Sequence, residues 1–590
     1  MKVASLALLY LLQSTQAASP AASPPAPVAT DVHGSGVSYH GIYKNSIEAF
    51  LGIRYAHDTG GEYRFKPPRP YTPDPGSRIE AKDPGSSCPQ RKDYGPLGIW
   101  GTYDYVTDTS EDCLRLNVWR PNGTAAGDKL PVLVYIHGGS FLTGNKDGIL
   151  AQLGGMQLHA IDNGHPIMNV ELNYRLGVFG FAQTGALLAE GSTNAGIRDQ
   201  RAALEWVRDN IAAFGGDPDK ITIHGQSSGG LAVGMQIMAY GGTRPVPFQQ
   251  AICQSQALEP GITGNSTRKS MARAWSVSVC ASYSFDSAEN VACLRSLPMQ
   301  QLLNAQLITH TARVARQQGD NWLPVVDGDI VPAAPSTLIA EHRFANVSAM
   351  IGWTVNDAVL FTNTSIKTPH ETYHFLNKYM PGFTVENVEK MLALYPSPDF
   401  QPTRFKNGTI KLHAETYRAA RIYRDLLFTC QPIHYGQALA AAGNPVYFYN
   451  QNQSMLQPLL HKHDEYGFGV VHTAELIYVF GNLTKFNLPG FAYHPRPSDH
   501  RLASQESRSW SSFVAVGQPS LEGHDTLQGW KQADFDDDNY GVYVIGGKYP
   551  GYSGTGPSSS AKARKVMLDE KLSERCGFIN SPEIVKEMLY

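Results

Sequence analysis

Residues 214–234 read FGGDPDKITIHGQSSGGLAVG. The β-branched run Ile221, Thr222, Ile223 and His224 ends a strand, and Leu231 to Ile237 starts a helix, so a sharp turn must join the two. Gly225, Gln226, Ser227, Ser228 and Gly229 in that turn spell GxSxG. Such an elbow holds its serine in a strained, exposed conformation while small neighbours let strand and helix approach each other. Ser227 is the candidate nucleophile. The five residues alone also fit a glycine-rich turn with no chemistry, so the rest of the chain must decide.

Apolar strand candidates flank the elbow at 130–137 (LPVLVYIH), 166–174 (PIMNVELNY), 220–225 (KITIHG), 249–255 (QQAICQS), 345–352 (ANVSAMIG) and 445–450 (PVYFYN). Helical patterns lie between several of them, the clearest at 195–214, where Leu204, Val207, Ile211 and Phe214 recur at helical spacing. Strands alternating with helices predict the α/β class, with a mainly parallel central sheet flanked by helices and large insertions. Sheets of this kind carry sites at the carboxyl ends of their strands. The elbow occupies such a position, and so does HGGSF (137–141), whose glycines allow backbone N–H groups to approach a substrate oxygen. HGGSF reads either as an oxyanion hole or as a strand-ending turn.

The chain has 590 residues and a formal charge of −3. Acids and bases are dispersed without a basic patch, which argues against nucleic acid as a partner. Residues 1–17, MKVASLALLYLLQSTQA, have the lysine, apolar run and small-residue end of a signal peptide, so the mature chain is expected to be secreted and extracellular. Residues 18–36 are rich in Pro, Ala and Ser and predict a disordered lead-in. No repeat or long hydrophilic linker follows, and 37–590 reads as one domain without a transmembrane segment. Sequons at Asn122, Asn265, Asn346, Asn363, Asn407, Asn452 and Asn482 are compatible with glycosylation. Seven cysteines in an exported chain imply disulfides and a leftover thiol. Spacing suggests Cys88 with Cys113, Cys280 with Cys293 and Cys430 with Cys576, leaving Cys253 in an apolar strand.

FGGDPDKITIHGQSSG (214–229) and SEDCLRLNVWRP (110–121) resemble the two signatures of the type-B carboxylesterase/lipase (cholinesterase-like) family of α/β-hydrolases. FLGIRYA (50–56), LNYRLGVFGF (172–181), DQRAALEWV (199–207), CLRSLP (293–298) and WSSFVAVGQP (510–519) look like its landmarks in order. Arg115 stands where an aromatic residue or threonine is usual. The resemblance implies an α/β-hydrolase fold and a Ser, acid, His triad in that chain order. GVVHTAE places the base at His472 with Glu475 as a neighbouring supporting acid. The acid block resembles IGWTVNDAVLF and places the carboxylate at Asp357, where the family usually has glutamate followed by glycine and this chain has Asp357 and Ala358. Asp327 and Glu341 are the nearby alternatives. The oxyanion donors correspond to the backbone N–H groups of Gly139, Ser140 and Ser228. Gln226 replaces a common glutamate, removing a negative charge from the gorge and weakening a cholinesterase reading. His137 reads as a support of the oxyanion loop, and HKHDEYG (461–467) is too weak a histidine pattern for a metal site.

The resemblance implies ester hydrolysis through an acyl-enzyme, with water and a small-molecule ester as reactants and no metal or other cofactor. The alternatives are a lipase or sterol esterase for long-chain esters, a cholinesterase with an aromatic gorge to which Trp100 alone is poor testimony, and a noncatalytic adhesion or binding protein. The 24 residues between Cys88 and Cys113 are polar apart from a few aliphatics such as Leu97 and Ile99. That predicts a preference for short or medium acyl chains, because a loop with little apolar surface gains little by opening at a lipid interface.

Overall fold

The computed structural model describes residues 26–589 except 45, 93–105, 107, 149–150, 257–265, 315–321, 487–493 and 536–539. The signal-peptide reading of 1–17, Asn265, and Leu97, Ile99 and Trp100 of the 88–113 loop lie outside the described residues. Residues 26–36 correct the expected lead-in: Val28–Thr30 is a strand paired antiparallel with Ser38–His40, and Ala29 is buried.

An 11-stranded sheet forms the frame. Its strands in chain order are β1 (Ile42–Lys44), β2 (Ile47–Arg54), β3 (Arg115–Pro121), β4 (Leu130–Ile136), β5 (Met168–Leu172), β6 (Gly216–Gln226), β7 (Gln250–Gln254), β8 (Ser348–Thr354), β9 (Val446–Gln451), β10 (Val542–Ile545) and β11 (Gly551–Tyr552). Their spatial order is β11-β10-β9-β8-β7-β6-β4-β5-β3-β2-β1. From β10 to β5 all neighbours run parallel, while β1–β2–β3–β5 and β10–β11 pair antiparallel at the two edges. The six expected strands are all present. The elbow strand β6 starts earlier than the apolar run indicates.

Both faces of the sheet are covered, which explains why its central strands are apolar without alternation. Along β4, Val132, Val134 and Ile136 enter one buried cluster while Leu133 and Tyr135 enter another. The first cluster contains Leu204 and Val207 of α1 (Ala195–Asn210) and Leu231 and Val233 of α2 (Ser228–Met238). The second contains Trp510 and Phe513 of α3 (Pro497–Val516). Helix α1 tightens into a 3₁₀ turn at Ile211–Phe214 and stops at Gly215, whose φ of 93° a side chain would resist.

Several family landmarks lock onto one another as buried or half-buried ion pairs. Arg175 of LNYRLGVFGF donates from Nε and Nη2 to the two carboxylate oxygens of Asp199 in DQRAALEWV, both at 2.7 Å. Arg54 of FLGIRYA makes the same fork to Asp112 of SEDCLRLNVWRP at 2.6 Å. These bidentate pairs fix orientation as well as proximity. Arg115 joins the second group, donating to Asp112 and to Gly52 O.

Disulfides join Cys88–Cys113, Cys280–Cys293 and Cys430–Cys576, and Cys253 is free and buried in β7. Burial pushes the Cys253 thiol well above its ordinary range, so it is an inert core residue.

Candidate active site

Ser227 stands between β6 and α2 with φ 62° and ψ −129°, a conformation that non-glycine residues avoid. Its neighbours enforce it. Ser227 N donates to Gln254 O at 2.9 Å and Leu231 N donates back to Ser227 O at 3.0 Å. A Cβ on Gly225 would lie 2.2 Å from Gly229 O, and one on Gly229 would lie 2.2 Å from Ile136 O. Both glycines of GxSxG are therefore needed for strand and helix to pack this closely. Helix α2 begins directly at Ser228, three residues before its apolar pattern starts.

His472 and Asp357 come from loops at the same end of the sheet, after β9 and β8. Asp357 Oδ1 lies 2.5 Å from His472 Nδ1, and both side chains are buried. Asp357 Oδ2 accepts from Ser255 Oγ at 2.7 Å and from Thr354 N at 2.9 Å. The shorter acid thus reaches the ring with its second oxygen anchored. The opposite ring nitrogen, Nε2, faces the elbow, 3.2 Å from Gln226 Nε2. The alternative acids sit elsewhere: Asp327 pairs with Arg198, and Glu341 pairs with Arg343 on the surface.

HGGSF follows β4 and packs on the elbow. A Cβ on Gly138 would meet Gln226 O at 2.5 Å and Ser227 Cβ at 3.1 Å. Ser228 Oγ accepts from Phe141 N at 3.2 Å, tying loop to elbow. Among the described residues, the N–H groups of Gly139, Ser140 and Ser228 have no protein acceptor. His137 stacks on Tyr174 at 4.5 Å, and Tyr174 Oη donates to His137 O at 2.8 Å. Burial pushes His137 down to about 4, so it is a neutral brace.

Sequence reading did not find Ser255, nor the aromatic walls of His472. The Phe428 ring lies 4.8 Å from the imidazole and Phe361 lies 5.2 Å away, edge to face. Phe428 belongs to a π-helical segment, Asp425–Thr429, an irregularity no local pattern announces. Ser255 follows β7, and the rule that sites form at strand ends could have flagged it. Residues 461–467 hold no cluster: His461 stacks on Tyr466. Among the described residues no group of three or more His, Cys, Asp or Glu could hold a metal ion.

A buried polar layer lies beneath the site. Gln254 Nε2 donates to Glu475 Oε1 at 3.1 Å, while Gln254 Oε1 accepts from Trp510 Nε1 at 3.2 Å and contacts His224 Nε2. Burial, reinforced by the charge of Asp357, pushes Glu475 up to about 8 from the ordinary 4.5. Between those two pH values the folded state keeps a proton that the unfolded chain releases, so this group makes stability fall as pH rises. Glu475→Gln keeps the acceptor without the titration. Its melting temperature relative to the parent therefore rises from pH 5 to pH 8, as calorimetry would show, whereas a constant difference would mean that Glu475 carries the same charge throughout.

A serine forced into a strained elbow at the end of a mainly parallel sheet, with an imidazole–carboxylate pair against the residue before it, defines the α/β-hydrolase fold class. Residues 30–550 match the model of the carboxylesterase family, and the chain belongs to that family as a carboxylic ester hydrolase. It is 44% identical over 99% of both chains to a secreted lipase of Arthroderma benhamiae. It is 34% identical, over 92% of this chain and 93% of the other, to an inactive carboxylesterase-like protein of Byssochlamys spectabilis. The crystal structure of Aspergillus niger EstA shares the fold, with a TM-score of 0.73 and 23% identity over 93% of this chain and 99% of that one. Among the described residues no helix is long and apolar enough to cross a membrane.

Proposed function

We propose that Ser227, His472 and Asp357 hydrolyse carboxylic esters through an acyl-enzyme, with the N–H groups of Gly139, Ser140 and Ser228 as the oxyanion hole. The observation that carries this reading is the 2.5 Å contact of Asp357 with His472 Nδ1, which turns Nε2 toward the elbow of Ser227. His472 takes the Ser227 proton as Oγ attacks the ester carbonyl, and the three N–H groups receive the oxyanion. His472 then protonates the departing alcohol. Water, deprotonated by the same ring, attacks the acyl-enzyme and releases the acid.

The catalytic domain is proposed to span 37–590 together with the strand Val28–Thr30 that pairs onto its start, a reading supported by one sheet whose strands run from Ile42 to Tyr552. Export through the leader at 1–17, with glycosylation at some of the sequons, is supported by the three disulfides and by a relative described as secreted.

The substrates proposed are soluble short or medium acyl esters, without marked preference for choline esters. A long-chain ester reading is favoured by one observation, the similarity to a protein described as a secreted lipase. A nitrophenyl ester series from acetate to palmitate, with a triglyceride emulsion alongside, separates the two. The first reading expects the highest kcat/KM at short or medium chains and no rate jump above triglyceride solubility. Such a jump, or a clear long-chain optimum, would replace it with the second.

A further inference from the structure

Both ring nitrogens of His472 have partners. Asp357 Oδ1 lies 2.5 Å from Nδ1, and a carboxylate can only accept, so Nδ1 carries the proton. In the neutral ring Nε2 is then a lone pair, and whatever meets it must donate. The side chain that meets it is Gln226, with 3.2 Å between the two Nε2 atoms. This chemistry fixes the orientation of the amide, with its NH₂ end toward the imidazole.

We propose that Gln226 is a positioning residue for the base: between turnovers its amide donor holds the imidazole with the Nε2 lone pair at the elbow and opposes idle protonation of the ring, and the contact opens as Nε2 takes the Ser227 proton. The proposal rests on the reading of Ser227 and His472 as nucleophile and base.

The chain gives Gln226 little freedom to do otherwise. It is the last residue of β6, only 3% exposed, and in register with Gln254 of β7. The close packing of Gly138 on its carbonyl clamps its backbone. Once His472 has received the Ser227 proton, Nε2–H donates to the leaving oxygen, so the amide serves the neutral, resting ring. A carboxylate at this position would serve only the protonated ring, and a thioether would serve neither state well. Gln226 itself gains and loses no proton in the cycle, which passes from Ser227 Oγ to His472 Nε2 and on to the leaving alcohol.

None of the other groups packed around the site takes this role. Asp357, from the end of β8, holds Nδ1. Glu475 lies on the loop of His472 itself, and Glu506 of α3 stands behind Glu475, pushed well above the ordinary carboxyl range by burial and by that neighbour. Phe361 and Phe428 supply apolar walls. Among the described residues the hydrogen bond to Nε2 comes from Gln226.

The test compares kcat/KM for a soluble nitrophenyl ester at pH 8 and pH 5.5 in the full-length protein and its Gln226→Glu and Gln226→Met variants. The carboxylate lets ring and side chain share an extra proton to higher pH, so the ratio of the pH 8 to the pH 5.5 value rises roughly tenfold in Gln226→Glu. Gln226→Met, which only removes the donor, gives a smaller rise of about two- to threefold. Equal ratios in all three proteins, at whatever overall rate, would mean that Gln226 merely fills space and would overturn the proposal. If Gln226→Glu does not fold, the Met variant decides on the same ratio. Full turnover in His472→Ala would instead remove the base assignment beneath the proposal, a distinct failure.

Discussion

In Ser227→Ala, ester turnover falls by on the order of 10⁴ to 10⁶-fold, while the melting temperature stays within a few degrees of the parent. The rate loss follows from removing the atom to which the acyl group bonds, since imidazole and oxyanion donors can then only assist slow attack by water. The fold survives because what holds residue 227 is main chain: the bonds to Gln254 O and from Leu231 N do not involve the hydroxyl. His472→Ala loses a similar factor, and the double variant is scarcely worse than either single one, because nucleophile and base act as a unit. Progress curves at high enzyme concentration, with thermal melts alongside, check both statements. Additive losses in the double variant would mean that the two residues serve separate steps.

Asp357→Asn lowers kcat by about 10⁴-fold and leaves KM much less changed. The reason is tautomeric. Ser255 Oγ and Thr354 N both donate to Asp357 Oδ2, so in the variant they retain the carbonyl oxygen there and leave the new NH₂ facing His472 Nδ1. That donor forces the ring proton onto Nε2, and the base is lost at the nitrogen where it is needed. Steady-state kinetics of Asp357→Asn beside Glu341→Gln decide the matter. The surface pair of Glu341 with Arg343 predicts near-parental turnover for the latter, and the reverse pattern would move the acid to Glu341.

What was legible in the sequence is what depends on spacing along one segment. The elbow could be read because its strand, its two glycines and its helix are contiguous, and the 2.2 Å clearances at Gly225 and Gly229 supply the physical reason for the pattern. Asp357 is legible only through the resemblance of IGWTVNDAVLF to the family's acid block, despite the missing glutamate, and the contact with His472 accommodates the shorter side chain. Ser255, Phe361 and Phe428 were not legible, because they reach the site from β7, from a turn after β8 and from a π-helical kink, brought together only by tertiary packing. The strand at Val28–Thr30 was hidden by the Pro and Ala composition around it, which conceals a segment whose backbone bonds go to Ser38–His40. In the sequence Gln226 shows only the charge it lacks; the hydrogen bond it makes depends on His472 arriving beside it in the fold.

The similarity to a relative described as inactive makes the chemistry of the elbow the point on which everything else turns. A fluorophosphonate transfers its phosphonyl group to an activated serine Oγ with loss of fluoride, and peptide mapping locates the adduct. The account predicts one adduct, on the peptide carrying Ser227, formed in parallel with complete loss of ester hydrolysis and absent from Ser227→Ala. An adduct on a different serine that accompanies the loss of activity, or equal labelling and hydrolysis in Ser227→Ala, would contradict it.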